Sequence, residues 1–312
     1  MKNATRHLLQ RVTVVVSLVW AFSCPLVYAG DRNCSVEERL AADKWLFLNA
    51  RDRKAALAKH LPFGMPASKD VSNEETTLVS WEFVIQYDKA LRVPRWIAYQ
   101  LVARGIGKLP DRVNCFRQDP RVNAPNASLP SDYDEPLFDQ GHLAPSEDMS
   151  QTLNRNVNSF IMSNMSPQYG NFNRVIWNRL EGQVRVWVKS RKVLDVITGS
   201  IFDDDDDGKP DAPSDIKRMK SKSGKKRVAI PSHFFKILVH PCKDGSTEAI
   251  AFLLPHNTKS YTGDAGKKYL EEQVTSISKI EALTDVQFFP DQTEIDRSKV
   301  QEYWSTKSAC DG

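Results

Sequence analysis

The stretch Phe138-Asp139-Gln140-Gly141-His142-Leu143-Ala144-Pro145, followed by Phe160 to Pro167 (FIMSNMSP) and by Asn173-Arg174-Val175-Ile176-Trp177-Asn178-Arg179-Leu180-Glu181, decides how the chain is read. Gly141 frees the backbone beside His142, and Pro145 stops the chain from entering a helix directly after it. His142 therefore belongs to a strand end or a tight loop. Phe160 to Pro167 is an apolar run with a polar tip, which predicts a short buried strand ended by Pro167. After a Gly-Asn-Phe loop, Asn173 opens a periodic segment in which Ile176, Leu180, Val184 and Trp187 share one face of a helix. Asn173 and Glu181 flank that face eight residues apart, a rise of roughly 12 Å at about 1.5 Å per residue. One of the two is expected to ligate an ion directly and the other through water.

Upstream, Leu78 to Tyr87 and Arg95 to Val102 read as two strands of a hairpin opening a central antiparallel sheet. Arg112 to Asp134, rich in Pro, Asn, Arg and Asp, reads as a surface loop. Val193 to Gly199, Phe234 to His240 and Ala249 to Leu254 supply further strands, and Tyr269 to Val274 and Ile277 to Ala282 close the domain as helix. The architecture is α+β.

This order of strand, strand and helix resembles the DNA/RNA non-specific endonuclease family of the ββα-metal, or His-Me finger, nucleases, which includes endonuclease G. Asp139-Gln140-Gly141-His142 is similar to the family's Asp-Arg-Gly-His. Ser163-Asn164-Met165-Ser166-Pro167-Gln168 is similar to its Ser-Asn-x-x-Pro-Gln, and Asn173-x-x-x-Trp177-x-x-Leu180-Glu181 to its metal-binding helix. Flanking matches at Tyr87-Asp88, Pro94-Arg95-Trp96, Thr198-Gly199, Ile230 to Lys236 and Phe288-Phe289-Pro290 extend the resemblance over about residues 78 to 291. One position departs: Gln140 stands where the family has Arg, so a positive charge is missing there.

The resemblance implies a metal-dependent endonuclease that hydrolyses DNA and RNA with little sequence specificity. His142 is then the general base, since a neutral imidazole can take a proton from water near pH 7. Asn173 holds a hard cation, Mg²⁺ or Mn²⁺, with Glu181 acting through water. Asn164 orients His142 or braces its loop, and Arg185, one turn beyond Glu181, reaches a phosphate. Gln140, Arg95 and the cluster Lys225, Lys226 and Arg227 are candidates for substrate binding. Zinc is disfavoured, because no His/Cys cluster at zinc spacing occurs. The alternative is a catalytically weakened nucleic-acid-binding module of the same fold, with Gln140 its only support.

Two charged stretches interrupt the later strands. Asp203, Asp205, Asp207 and Asp211 alternate as in a calcium loop, but Ser214 takes the place of the usual Glu, and a solvated acidic loop is the plainer alternative. Lys217 to Arg227 packs seven Lys or Arg into eleven residues, either a solvated loop or an electrostatic rail for phosphates.

Residues 1–29 read as a secretory signal: Lys2, Arg6 and Arg11 precede the apolar run Val12 to Val19, and Val27-Tyr28-Ala29 suits cleavage. The run is too short to favour membrane spanning. Its removal lowers the formal net charge from +4 to about +1, so attraction to nucleic acid has to come from local clusters. The domains expected are then a signal peptide over 1–29, an N-terminal helical extension over 30–76 and a nuclease domain over 77–312. The mature protein is expected to be secreted, extracellular or periplasmic. Four cysteines remain, Cys34, Cys115, Cys242 and Cys310, which suits two disulfides in an oxidising compartment. Of the three pairings, sequence distance favours Cys34–Cys115 with Cys242–Cys310.

Overall fold

The computed structural model describes residues 32–68, 75–107, 109, 112–220, 226–292, 294–308 and 310, with the backbone alone at 226 and 227. The signal segment and Lys225 lie outside the described residues. A seven-stranded antiparallel sheet forms the centre. Its strands run, from one edge to the other, Val274–Thr275, Thr247–Pro255, His233–Pro241, Val193–Ile201, Val93–Val102, Val84–Asp88 and Glu75–Val79. Apolar residues occupy both faces of the inner strands, so neighbours in sequence serve opposite layers. Phe234 packs with Trp177, Leu180, Val184 and Trp187 on one face. Phe235 packs with Ile277, Ile280, Leu283 and Phe288 on the other. The catalytic candidates all ride on the first layer.

Three sequence expectations shift. Leu78 to Tyr87 is not one strand but a hairpin: Ser80 N–H bonds Phe83 O, and Ser80 Oγ accepts from the N–H groups of Glu82 and Phe83, which turns the chain back on itself. The second shift lies at the far end, where the helix spans Gly263–Glu272 and ends before Val274, which instead pairs with Phe252 at the sheet edge. Third, the 112–134 segment is no free loop throughout, because Val113 and Asn114 pair in parallel with Arg32 and Asn33.

The N-terminal helices are tied into this body. Val36–Asp43 starts with a capping box, in which Ser35 Oγ accepts from Glu38 N–H and Glu38 accepts from Ser35 N–H. Asn49 caps Ala50–His60 in the same sense. Arg117 then bridges the first helix to the finger region, bonding Asp43 at 2.8 Å and Asn158 at 2.7 Å. Two disulfides, Cys34–Cys115 and Cys242–Cys310, match the pairing that sequence distance favoured. The first anchors the N-terminal helices, and the second fixes the chain end to the His233–Pro241 strand. No helix among the described residues is long and apolar enough to cross a membrane.

Candidate active site

The finger begins as a two-stranded ribbon, Phe138–His142 against Met165–Tyr169, with His142 opposite Met165 and Gln140 opposite Pro167. The expected strand over 160–167 is displaced: Met162–Asn164 forms a 3₁₀ turn, and the strand starts at Met165 and runs past Pro167. Asn164 causes the turn. Its buried amide donates to Ala144 O at 2.9 Å and to Ser159 O at 2.7 Å, and accepts from Ala144 N–H at 3.0 Å. Asn164 O also accepts from Leu143 N–H. Asn164 thereby fixes the two residues that follow His142. Gly141 serves a different need from the backbone freedom read in the sequence. A Cβ there would lie 2.2 Å from the side chain of buried Gln168, so glycine is required by space.

His142 is held from several sides. Its carbonyl accepts from Trp177 Nε1 at 3.1 Å. Its ring stands edge-on to Phe160, with centroids 4.8 Å apart, and lies beside Phe116. Burial lowers its pKa to about 3, and the charge of Arg112 adds to the effect. The imidazole is neutral, and its buried Nε2 has no hydrogen-bond partner among the described residues. It faces a cleft of about 290 Å³ that Arg112, Gln140, Glu147, Asn173 and Glu181 also line.

After the ribbon, Phe172–Trp177 winds as a π turn and passes into the finger helix, Asn178–Arg191. Ile176, Leu180, Val184 and Trp187 are buried on its inner face, as the periodicity predicts. Asn173 sits on the π turn. Its Nδ2 donates to Asp139 Oδ2 at 2.9 Å, which leaves the Oδ1 as a free-facing acceptor type for a cation. The same carboxylate receives a fork from Arg174, Nε at 2.9 Å and NH2 at 2.5 Å. Asp139 thus orients two consecutive side chains at the cleft.

The donors suit a hard cation: an amide oxygen whose nitrogen is already committed, with the carboxylates of Glu181 and Glu147 lining the same space. In the later acidic loop the Asp203, Asp205 and Asp211 oxygens lie within 4.8 Å of one another. Asp207 stands apart from the acidic trio, its Oδ1 accepting from Lys209 N–H.

Beneath the cleft lies a buried charge network that the sequence did not announce. Lys236, 1% exposed, has no hydrogen-bond partner for its Nζ among the described residues, and the Nζ lies 4.6 Å from the centroid of the Trp177 ring. Burial lowers its pKa to about 8 and raises that of Glu181 to about 8, each drawn back by the other's charge. Asp148 accepts from Tyr99 Oη at 2.9 Å and from Arg185 NH1 at 3.2 Å. The available signal was a lysine inside Phe234-Phe235-Lys236-Ile237, a run otherwise apolar toward both faces.

Several candidates sit elsewhere than the sequence suggested. Arg185 does not line the cleft; it is buried and paired with Asp148 and with Glu147 at 2.9 Å. Arg95 donates to Thr284 O at 3.0 Å and is likewise absent from the lining. Lys226 and Arg227 belong to a short strand, Lys226–Ala229, whose Val228 and Ala229 pack with Phe138 at the outer end of the ribbon. Gln140 lines the cleft, but its amide donates to Pro130 O at 3.3 Å. Arg112, Glu147 and Arg174, by contrast, line the cleft and went unnoticed as candidates.

A family model for DNA/RNA non-specific endonucleases matches residues 65–294. Nuclease EXOG, mitochondrial, of Danio rerio is 30% identical over 234 residues, covering 73% of this chain and 63% of that protein. Endonuclease G, mitochondrial, of Homo sapiens is 29% identical over 197 residues, 62% of either chain. Nuclease C1 of Cunninghamella echinulata is 34% identical over 203 residues, 63% of this chain and 75% of that one. The chain spans less than two thirds of the EXOG and endonuclease G relatives. With the finger, its histidine and its asparagine in place on a central antiparallel sheet, and most of the chain matched by the family model, this chain belongs to the DNA/RNA non-specific endonuclease family.

Proposed function

We propose that the chain is an exported, metal-dependent nuclease that hydrolyses phosphodiester bonds of DNA and RNA with little sequence specificity. The observation that carries this reading is the cleft itself, which His142, Asn173 and Glu181 line together. The edge of the His142 ring that is open to the cleft takes a proton from water as the water oxygen bonds to phosphorus and the bond to the 3′-oxygen breaks. Asn173 directly, and Glu181 through water, would hold a divalent cation, Mg²⁺ or Mn²⁺, which when bound would supply neutralising charge for the transition state and the departing oxygen. Asn164 keeps His142 aimed by fixing Leu143 and Ala144. Burial, more than the charge of Arg112, keeps the His142 ring unprotonated and so able to accept a proton. Two disulfides support export to an oxidising compartment.

Incubating the purified protein with plasmid and with RNA, in Mg²⁺ and in EDTA, tests the reading. Cleavage only with metal is expected, whereas retention of intact nucleic acid without cleavage supports the weakened binding module. Ligation gives a second expectation. Asn173→Ala should raise the Mg²⁺ concentration for half-maximal rate at least tenfold, while Glu181→Gln should lower the rate with a smaller shift in that midpoint. Equal shifts in a metal titration of the two variants would remove the distinction.

A further inference from the structure

We infer that Arg174 is the cation that grips a backbone phosphate of the bound strand, in place of the charge missing at Gln140. The inference rests on the nuclease reading and adds a binding residue to it. Arg174 lines the cleft beside Gln140, and its side chain is 73% exposed, so its guanidinium remains open to solvent and to a ligand. Its reach is nevertheless fixed. Asp139 holds Nε and NH2, leaving NH1 and the outer N–H of NH2 for a phosphate oxygen. Because Asp139 also holds Asn173, the guanidinium and the proposed cation ligand are set relative to one another by a single carboxylate. A phosphate drawn to Arg174 is thereby delivered next to Asn173.

Two other arginines are committed elsewhere. Arg185 is buried against two carboxylates, and Arg95 is turned to Thr284. Gln140, with its amide on Pro130 O, carries no charge, yet it lines the same cleft as Arg174. A guanidinium at 140 would therefore enter the space that the Arg174 guanidinium enters.

The test measures binding of a short single-stranded oligonucleotide to the full chain in EDTA across a salt series, where no cleavage intervenes. Arg174→Gln should weaken binding roughly tenfold at low salt and reduce the slope of log K against log[salt] by about 0.7, the loss of one phosphate contact. Its melting temperature should stay at the wild-type value, since the side chain is exposed. Adding Gln140→Arg to Arg174→Gln should restore both affinity and slope. An unchanged slope in Arg174→Gln, or a double variant no better than the single one, overturns the inference while leaving wild-type cleavage intact. A wild-type chain that neither binds nor cuts nucleic acid overturns the nuclease reading and this inference with it.

Discussion

Replacing His142 with alanine is expected to lower the rate of cleavage by a factor on the order of 10² to 10⁴ without unfolding the protein, as general-base loss does. No other histidine can stand in. His60 bonds Trp81 O on the far side of the Val93–Val102 strand, and His240 bonds Val193 O. His256 is occupied at both nitrogens by Tyr169 N–H and Pro231 O. His233 lies beside Asp206, away from the cleft lining. The fold should survive because Trp177 and Asn164 hold this segment through backbone atoms that alanine retains. Single-turnover cleavage at saturating metal, with circular dichroism as the control for folding, decides the matter. A variant keeping more than about a tenth of the wild-type rate would defeat the role given to His142.

The second large effect concerns stability. Lys236→Met preserves the length of the side chain but removes the ammonium that faces Glu181 and Asp148 in the layer beneath the cleft. Removing one partner of a buried charge pair costs up to about 3–5 kcal/mol, and less to the extent that Glu181, whose pKa burial already raises, takes up a proton instead of staying charged. At about 2–4 °C per kcal/mol for a domain of this size, the melting temperature should fall by up to roughly 10 °C. The loss should also reach the cleft, since Lys236 lies on the face of the same Trp177 indole whose N–H holds the His142 carbonyl. Adding Glu181→Gln removes one of the orphaned charges and should recover part of the stability, a non-additive response that marks direct coupling. Thermal melts of the two single variants and the double variant provide the measurement. A Lys236→Met protein within about 1 kcal/mol of wild type would show that the ammonium balances nothing there.

The finger was legible because its signals are local. Pro145 constrains its own backbone, and Ile176, Leu180, Val184 and Trp187 report a helix by spacing alone. What the sequence concealed depends on contacts made at long range. Arg185 reads as a surface cation until Asp148, 37 residues earlier, is placed against it. Arg95 finds Thr284 across 189 residues. The displaced second strand has the same origin: Asn164 satisfies backbone groups at Ala144 and Ser159, and that demand overrides the strand preference of Phe160 to Met162. An arginine in the first turn of a helix carries no signal of its own, and only the fork to Asp139 distinguishes Arg174.

The π turn at Phe172–Trp177 sets a rule about length. A π turn holds one residue more than the α turn it replaces, and each residue of an α-helix advances the side-chain direction by about 100°. Were one residue lost between Phe172 and Trp177, the segment would relax to α-helix, and Asn173 would swing away from Asp139 and the cleft together with Phe172, which is buried against Trp177 and Phe234. The count of residues ahead of Trp177 is thus held at once by the ligand position and by the core, so an insertion or deletion here is a lesion of chemistry and of packing together.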